Sequence, residues 1–314
     1  MRIAMMIEGQ EGVTWPEWVA MAGACERGGL DALFRSDHYA GLLGDEARDA
    51  TDAWAVISAL AAVTERIRLG TLVSPVTFRH PSQLAKVTAT ADQVSGGRIE
   101  LGIGAGWNER EHAAYGFPFP PLGTRFEMLE EQLEIVRRLW TEEVVTFEGR
   151  HYHLNAARPL PRPVQAPPTL LVGGVANRRS AALAARFADE YNTLGATLDE
   201  VAARRDRLSA ACEKIGRDPA TLPLSLMTGC IVGSSADDVM GRTRAVLERI
   251  GETGDPAAFL AARRDRWIVG TVGEVRERLG DLATAGVSRV MLQHFAHRDV
   301  DMVEVIAEQL VDRS

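Results

Sequence analysis

The sequence predicts an α/β protein, a parallel (β/α)8 barrel of the TIM type, with residues 1–314 forming one domain. Two observations carry that expectation. Short apolar runs such as Ile3 to Ile7 and Thr169 to Gly174 suit strands buried on both faces, and most are followed by a stretch with helical apolar spacing. This alternation recurs along nearly the whole chain, giving eight strand-like runs, the rhythm of a closed parallel sheet.

Taken in order, Ile3 to Ile7 is the first strand. Thr14 caps the next helix, with Pro16 in its first turn and Glu17 three residues after the cap, and Gly28-Gly29 stops it. Leu30 to Phe34 completes a βαβ unit. A helix from Thr51-Asp52 through Val63 leads to a strand from Ile67 to Val73, and a helix from His80 to Val94 leads to one from Gly96 to Gly104. Ala105 to Leu122 then reads as an aromatic, proline-rich loop, followed by an amphipathic helix from Arg125 to Trp140. Val144 to Leu154 alternates and breaks at Glu148-Gly149, which predicts a β-hairpin outside the main sheet. Loop and hairpin are insertions between the fourth and fifth strands. Thr169 to Gly174, Asp189 to Leu194, Leu222 to Val232 and Val287 to Leu292 supply the remaining strands, separated by helices from Arg178, Leu198, Ala236 and Thr271. Gly251 to Arg266 has little apolar periodicity, so a mobile flap is expected after the seventh strand.

Composition narrows the function classes. The chain is 46% hydrophobic and 25% charged with a formal charge of −8, and its basic residues are dispersed among acids, which argues against a nucleic-acid partner. Cys25, Cys212 and Cys230 have neither disulfide nor zinc spacing and read as buried small hydrophobes in a reducing compartment. No apolar stretch is long enough to span a bilayer, and the N-terminal run is too short for a signal peptide, so a cytoplasmic location and no membrane partner are expected.

In such a barrel the ligand site is built at the C-terminal ends of the strands. The second strand ends in Ser36, Asp37 and His38, where a break would let a carboxylate and an imidazole reach one ligand; a helix cap beside a solvent-facing His is the alternative. The other strand ends offer Glu8, Val73-Ser74, Gly104 to Glu109, Gly173-Gly174, Leu194 and His294. No metal-ligand set, nucleophile elbow or Walker loop occurs among them. Gly173-Gly174 before the Arg178 helix would let a phosphate approach backbone amides, unless it is a plain tight turn. The set suits a flat, phosphate-bearing organic cofactor and a small-molecule substrate better than hydrolysis.

Ser-Asp-His-Tyr at 36–39, Leu-Gly-Thr-Leu-Val-Ser-Pro-Val-Thr-Phe-Arg-His-Pro at 69–81, Gly-Gly-Arg-Ile-Glu-Leu-Gly-Ile-Gly-Ala-Gly-Trp at 96–107, Phe-Glu-Gly-Arg-His-Tyr at 147–152 and Ile-Val-Gly-Thr at 268–271 together resemble the bacterial luciferase-like flavin and deazaflavin family. Ser-Asp-His resembles the branch that binds 8-hydroxy-5-deazaflavin, coenzyme F-420. The resemblance implies an oxidoreductase with His38 as the active-site acid. It further implies that Asp37, Leu72, Val73, Ser74, Gly104, Gly106, Asn108, Gly173, Gly174, Ala176 and Asn177 contact the cofactor, with a non-prolyl cis peptide at Leu72-Val73 and the phosphate held at residues 173–177. Trp107, Trp267 and His294 are expected in the substrate pocket, and a homodimer is expected. Two features depart from the sugar-phosphate dehydrogenases of that branch: Trp107 stands where they carry a catalytic Glu, and Lys86 and Lys214, this chain's lysines, do not match their phosphate-binding ones. The alternatives are an FMN-dependent monooxygenase fed by a separate reductase, and a barrel without catalysis that binds a ligand.

Overall fold

The computed structural model describes residues 1–44 and 47–311. Its strands are β1 (Arg2–Ile7), β2 (Ala32–Arg35), β3 (Arg68–Pro75), β4 (Ile99–Gly104), β5 (Val145–Glu148), β6 (His153–Ala157), β7 (Thr169–Gly174), β8 (Glu190–Leu194), β9 (Leu224–Gly233), β10 (Ile268–Thr271) and β11 (Val287–Gln293). The helices are α1 (Trp15–Gly28), α2 (Ala53–Val63), α3 (Pro81–Ser95), α4 (Glu109–Tyr115), α5 (Leu122–Thr141), α6 (Arg178–Phe187), α7 (Leu198–Glu213), α8 (Ala236–Ile250), α9 (Pro256–Arg263), α10 (Val272–Thr284) and α11 (Val300–Gln309). Strand order is β10-β9-β11-β1-β2-β3-β4-β7-β8, and β8 pairs back onto β9, so the eight strands from β9 to β8 close a barrel. All barrel pairings are parallel. The hairpin β5–β6 lies outside it. No helix among the described residues is long and apolar enough to cross a membrane.

The expected strands all form, and the differences lie in the connections. The segment read as an aromatic loop contains α4, because Asn108 caps it, Glu109 and Glu111 fill its first turn, and Gly116 closes it at φ 71°. The segment expected as a mobile flap contains α9, started by the Asp255 cap, with Phe259 and Leu260 buried against Val246, Leu247 and Val269. Eight residues of helix are too few for a periodicity that stands out by eye. Residues 268–271, taken as a lead-in to a helix, form β10 on the outer end of β9.

The main apolar core lies between the barrel and its helices, and a small interior cluster (Ala4, Met6, Ala32, Phe34, Leu72, Leu171, Met291) fills the barrel itself. Beneath that cluster the floor is ionic. Arg289 is fully buried, with Asp31 at 2.8 Å, Glu100 at 2.7 Å and Glu190 at 2.9 Å, and its guanidinium lies 5.1 Å from the Phe34 ring centre. Arg68 and Arg2 add further pairs to Glu100 and Glu190. Interior and floor therefore close the barrel from below and leave ligand access at the strand C-termini.

Candidate active site

β2 ends at Arg35, so Ser36, Asp37 and His38 leave the strand geometry and the last two side chains take separate partners. Asp37 is buried; it accepts a hydrogen bond from Ser74 Oγ at 2.6 Å and pairs with Arg79, which also holds Asp52 at 2.8 Å. Ser74 in turn accepts from the Trp54 indole at 3.2 Å. His38 turns instead toward α4, where its Nδ1 lies 2.8 Å from Glu111 Oε2. A carboxylate only accepts, so Nδ1 carries the proton and Nε2 is the titrating nitrogen. Nε2 has no hydrogen-bond partner among the described residues, and the side chain keeps 12% of its surface exposed.

Glu111 is fixed before it meets the imidazole. Its Oε1 accepts from the backbone amides of Tyr39 and Ala40, its own amide donates to Asn108 Oδ1 at 3.3 Å, and its side chain is 1% exposed. Burial alone would push the His38 imidazole down, but the hydrogen bond and charge of Glu111 outweigh it and hold His38 above its ordinary value. Burial would likewise raise Glu111, yet His38 and the two amides hold it low. The pair thus favours the charged forms of both groups, an imidazolium facing a carboxylate, over a wider pH range than either group would keep alone.

Beside this pair β3 bulges. The Leu72–Val73 peptide is cis and the register against β4 shifts between Thr71 and Ser74. The Val73 side chain rests where Gly102, Gly104 and Gly173 leave room: a Cβ on them would come within 2.9, 2.8 and 2.9 Å of it. Glycine at 173 therefore has a packing reason independent of any phosphate. The turn after β7 is braced from within. Ala176, at φ 50°, donates to Tyr191 Oη at 2.7 Å, and Asn177 Oδ1 already accepts from the amides of Arg179 and Ser180. Two of the α6 amides expected to face a phosphate are hence taken by the chain itself. Gly173→Ala should destabilise the fold by about 1–3 kcal/mol through overpacking; a denaturant melt within 0.5 kcal/mol of wild type would mean that Val73 moves aside freely.

The model of the luciferase-like monooxygenase family matches residues 1–289. The chain belongs to that family. An uncharacterized protein of Mycobacterium tuberculosis is 38% identical over 148 residues, 47% of this chain and 51% of that protein. A coenzyme F-420-dependent glucose-6-phosphate dehydrogenase of Intrasporangium calvum is 40% identical over 152 residues, 48% of this chain and 45% of the relative. The chain spans about half the length of these curated relatives. An FMNH(2)-dependent dimethylsulfone monooxygenase of Pseudomonas putida is 28% identical over 239 residues, 76% of this chain and 63% of that protein. Among solved structures, an F-420-dependent secondary alcohol dehydrogenase shares the fold with a TM-score of 0.81 at 20% identity, covering 98% of both chains.

The remaining expected residues of this luciferase-like barrel are placed as follows. Trp107 is 67% exposed and meets the His38 ring edge-on at 5.7 Å. Gly106 precedes it at φ 76°, a left-handed turn that favours glycine. Asn108 spends its side chain on capping α4 and on Glu111. Trp267 stacks on Phe295 at 5.1 Å and meets Phe259 edge-on, forming a rim wall above Gly229. His294 is buried: its Nε2 donates to the Asp299 carbonyl at 2.9 Å, Nδ1 has no partner, and burial pushes its pKa down. It is a neutral interior group and not an open pocket wall. Tyr115 and Phe117 pack on Tyr39, and His112 bridges Phe78 and Phe119, so these aromatics of the insertion form a small core of their own.

Sequence reasoning passed over Glu111, which reads as the third residue of an Asn-capped helix, a position where Glu ordinarily serves the cap. Glu111→Gln should keep the bonds from Tyr39 and Ala40 through its amide oxygen, while its NH2 donates to His38 Nδ1 and forces the neutral tautomer. The alkaline limb of the kcat/KM profile should then move to lower pH, and activity at pH 7.5 should fall ~10-fold or more. An unchanged profile would remove Glu111 from the control of His38.

Proposed function

We propose that the chain is a deazaflavin (coenzyme F-420)-dependent oxidoreductase that moves hydride between the coenzyme and a small, uncharged organic substrate. The observation that carries this reading is His38 at the barrel mouth: its outer ring nitrogen has no hydrogen-bond partner among the described residues, and a buried carboxylate holds the imidazole above its ordinary pKa. The residues present fit a flat ring: the Val73 bulge and its three glycines bring backbone close to the mouth, with the Asp37–Ser74–Arg79 network buried behind it. Asp37, Leu72, Val73, Ser74, Gly104, Gly106 and Asn108 would hold the ring, and Gly173, Gly174, Ala176 and Asn177 its phosphate arm. When bound, a deazaflavin supplies two-electron hydride transfer. The protein holds a proton at His38 Nε2, fixes the imidazole through Glu111, and excludes water with the Trp267–Phe295 wall.

Relatives named as F-420-dependent support this reading. A two-component FMN monooxygenase, fed by a separate reductase, is the second reading, favoured by the dimethylsulfone monooxygenase whose match covers more of the chain. Equilibrium titration with both coenzymes separates them. Coenzyme F-420 should bind at least ~10-fold more tightly than reduced FMN; the reverse order together with oxygen-consuming turnover would overturn the proposal.

A further inference from the structure

We propose that the apolar half of the barrel mouth, headed by Trp107, binds the flat, uncharged body of the substrate and sets its class: a planar, unsaturated or aromatic carbonyl or alcohol. The proposal rests on the oxidoreductase reading and deepens it. Four large apolar side chains stand exposed at the strand C-termini: Trp107 (67%) after β4, Leu122 (52%) at the start of α5, Val175 (47%) after β7 and Leu194 (46%) at the end of β8. β4, β7 and β8 are consecutive in the sheet, and Leu122 adjoins Gly123, whose carbonyl accepts from Arg179 at the start of α6, so these residues share one side of the rim. The opposite side, over β11, β1 and β2, is polar. There Glu8 accepts from Gln10 and Gln293, the Gly9 amide donates to Ser36, and His38 faces Glu111.

Trp107 stands out among the aromatics of its insertion. Tyr115 and Phe117 pack against Tyr39 and each other, and Phe119 lies between His112 and the Arg125 guanidinium, whereas among the described residues Trp107 meets only the His38 ring. An indole left two-thirds in water, its plane at 74° to the imidazole, offers a broad apolar surface beside that ring. A planar ligand on that surface would carry its body over the apolar side and its polar end toward His38. Lysine does not contribute to this rim, since Lys86 bonds the Leu160 carbonyl and Lys214 follows α7, and three arginines beside it are bonded to the chain: Arg179 to the Gly123 carbonyl at 3.0 Å, Arg207 to the Ala176 carbonyl at 2.8 Å, and Arg266 to the Gly195 carbonyl at 3.0 Å and to Glu200. The half-rim thus selects by shape and apolar contact.

The test compares wild type with Trp107→Leu and Trp107→Phe, by equilibrium binding and by kcat and KM with coenzyme F-420. The probes are three planar compounds (coumarin, 1-indanone, cinnamyl alcohol) and three non-planar ones (cyclohexanol, 2-propanol, glucose 6-phosphate), the carbonyl compounds with the reduced coenzyme and the alcohols and sugar phosphate with the oxidised one. Trp107 is mostly exposed, so both variants should melt as wild type does. Wild type should bind the planar set at least tenfold more tightly than the non-planar set. Leucine at 107 should erase that preference by raising KM or Kd with little change in kcat, and phenylalanine should retain it within about threefold. Coenzyme affinity should change less than threefold in both. A wild type without planar preference, a leucine variant that keeps it, or a loss falling equally on the coenzyme would each overturn the assignment. Failure of wild type to bind coenzyme F-420 would instead count against the oxidoreductase reading, since probe binding is also measured without coenzyme.

Discussion

Replacing His38 with Asn should lower turnover by ~10²-fold or more while leaving coenzyme affinity within a few fold, the scale expected for loss of a positioned general acid. Asparagine is the informative choice because its amide can still donate to Glu111 Oε2, so the loop from Tyr39 to Ala40 stays anchored and only the titrating nitrogen is lost. The pH profile provides the second readout. In the wild type Glu111 outweighs burial and raises His38, so the protonated imidazole persists above the ordinary ~6.5 and activity that depends on it should decline only at higher pH. In the variant that alkaline limb should disappear. The same shift has a stability consequence. A raised folded pKa contributes stability fully present below about 6.5, lost as pH rises through the folded value. Turnover within threefold of wild type, with the alkaline limb intact, would exclude His38 as the acid.

The eight strands were legible because strands buried on both faces leave apolar runs that need no context, and glycines mark their ends. What the sequence hid depends on partners distant along the chain. Asp37 and His38 are adjacent, which suggested one shared task, yet they diverge because Ser74 and Arg79 claim the first and Glu111 the second. Gly173 read as an opening for phosphate or a plain turn, and the structure adds a packing reason for glycine there, the Val73 side chain from a strand that does not pair with β7. His294 looked like a strand-end ligand group, but the turn to Asp299 folds over it. The insertion read as an aromatic loop without structure of its own, whereas Tyr115 and Phe117 satisfy one another and Tyr39. Residue type and spacing located the mouth of the barrel. Pairing across it decided what each group is free to do.

Arg289→Met should be the most destabilising single substitution at the barrel floor. The methionine can fill much of the volume under Phe34, but it leaves Glu100 and Glu190, both buried, without their shared cation. Uncompensated buried carboxylates cost on the order of 3–5 kcal/mol, a large part of the ~5–15 kcal/mol that holds a domain folded. Arg68 and Arg2 soften the loss because each still reaches one of the two carboxylates from the edge. The pH dependence follows from the same groups. In the wild type burial would raise Glu100, but Arg289 and Arg68 hold it low, so its contribution is present above the ordinary carboxylate range and is lost as pH falls through the lowered value. Without Arg289 the unpaired carboxylates titrate upward, and the deficit of the variant should be largest near pH 7.5 and shrink toward pH 5. Burial and the charge of Glu100 already push Glu190 up, which makes it the first of the two to take the proton. Adding Glu190→Gln to Arg289→Met should therefore recover part of the loss, an interaction that denaturant melts of the two single variants and the double variant would measure directly. A melt of Arg289→Met within 1 kcal/mol of wild type at neutral pH, or a double variant weaker than the sum of its parts, would show that water reaches the floor and that the ionic cluster does not seal it.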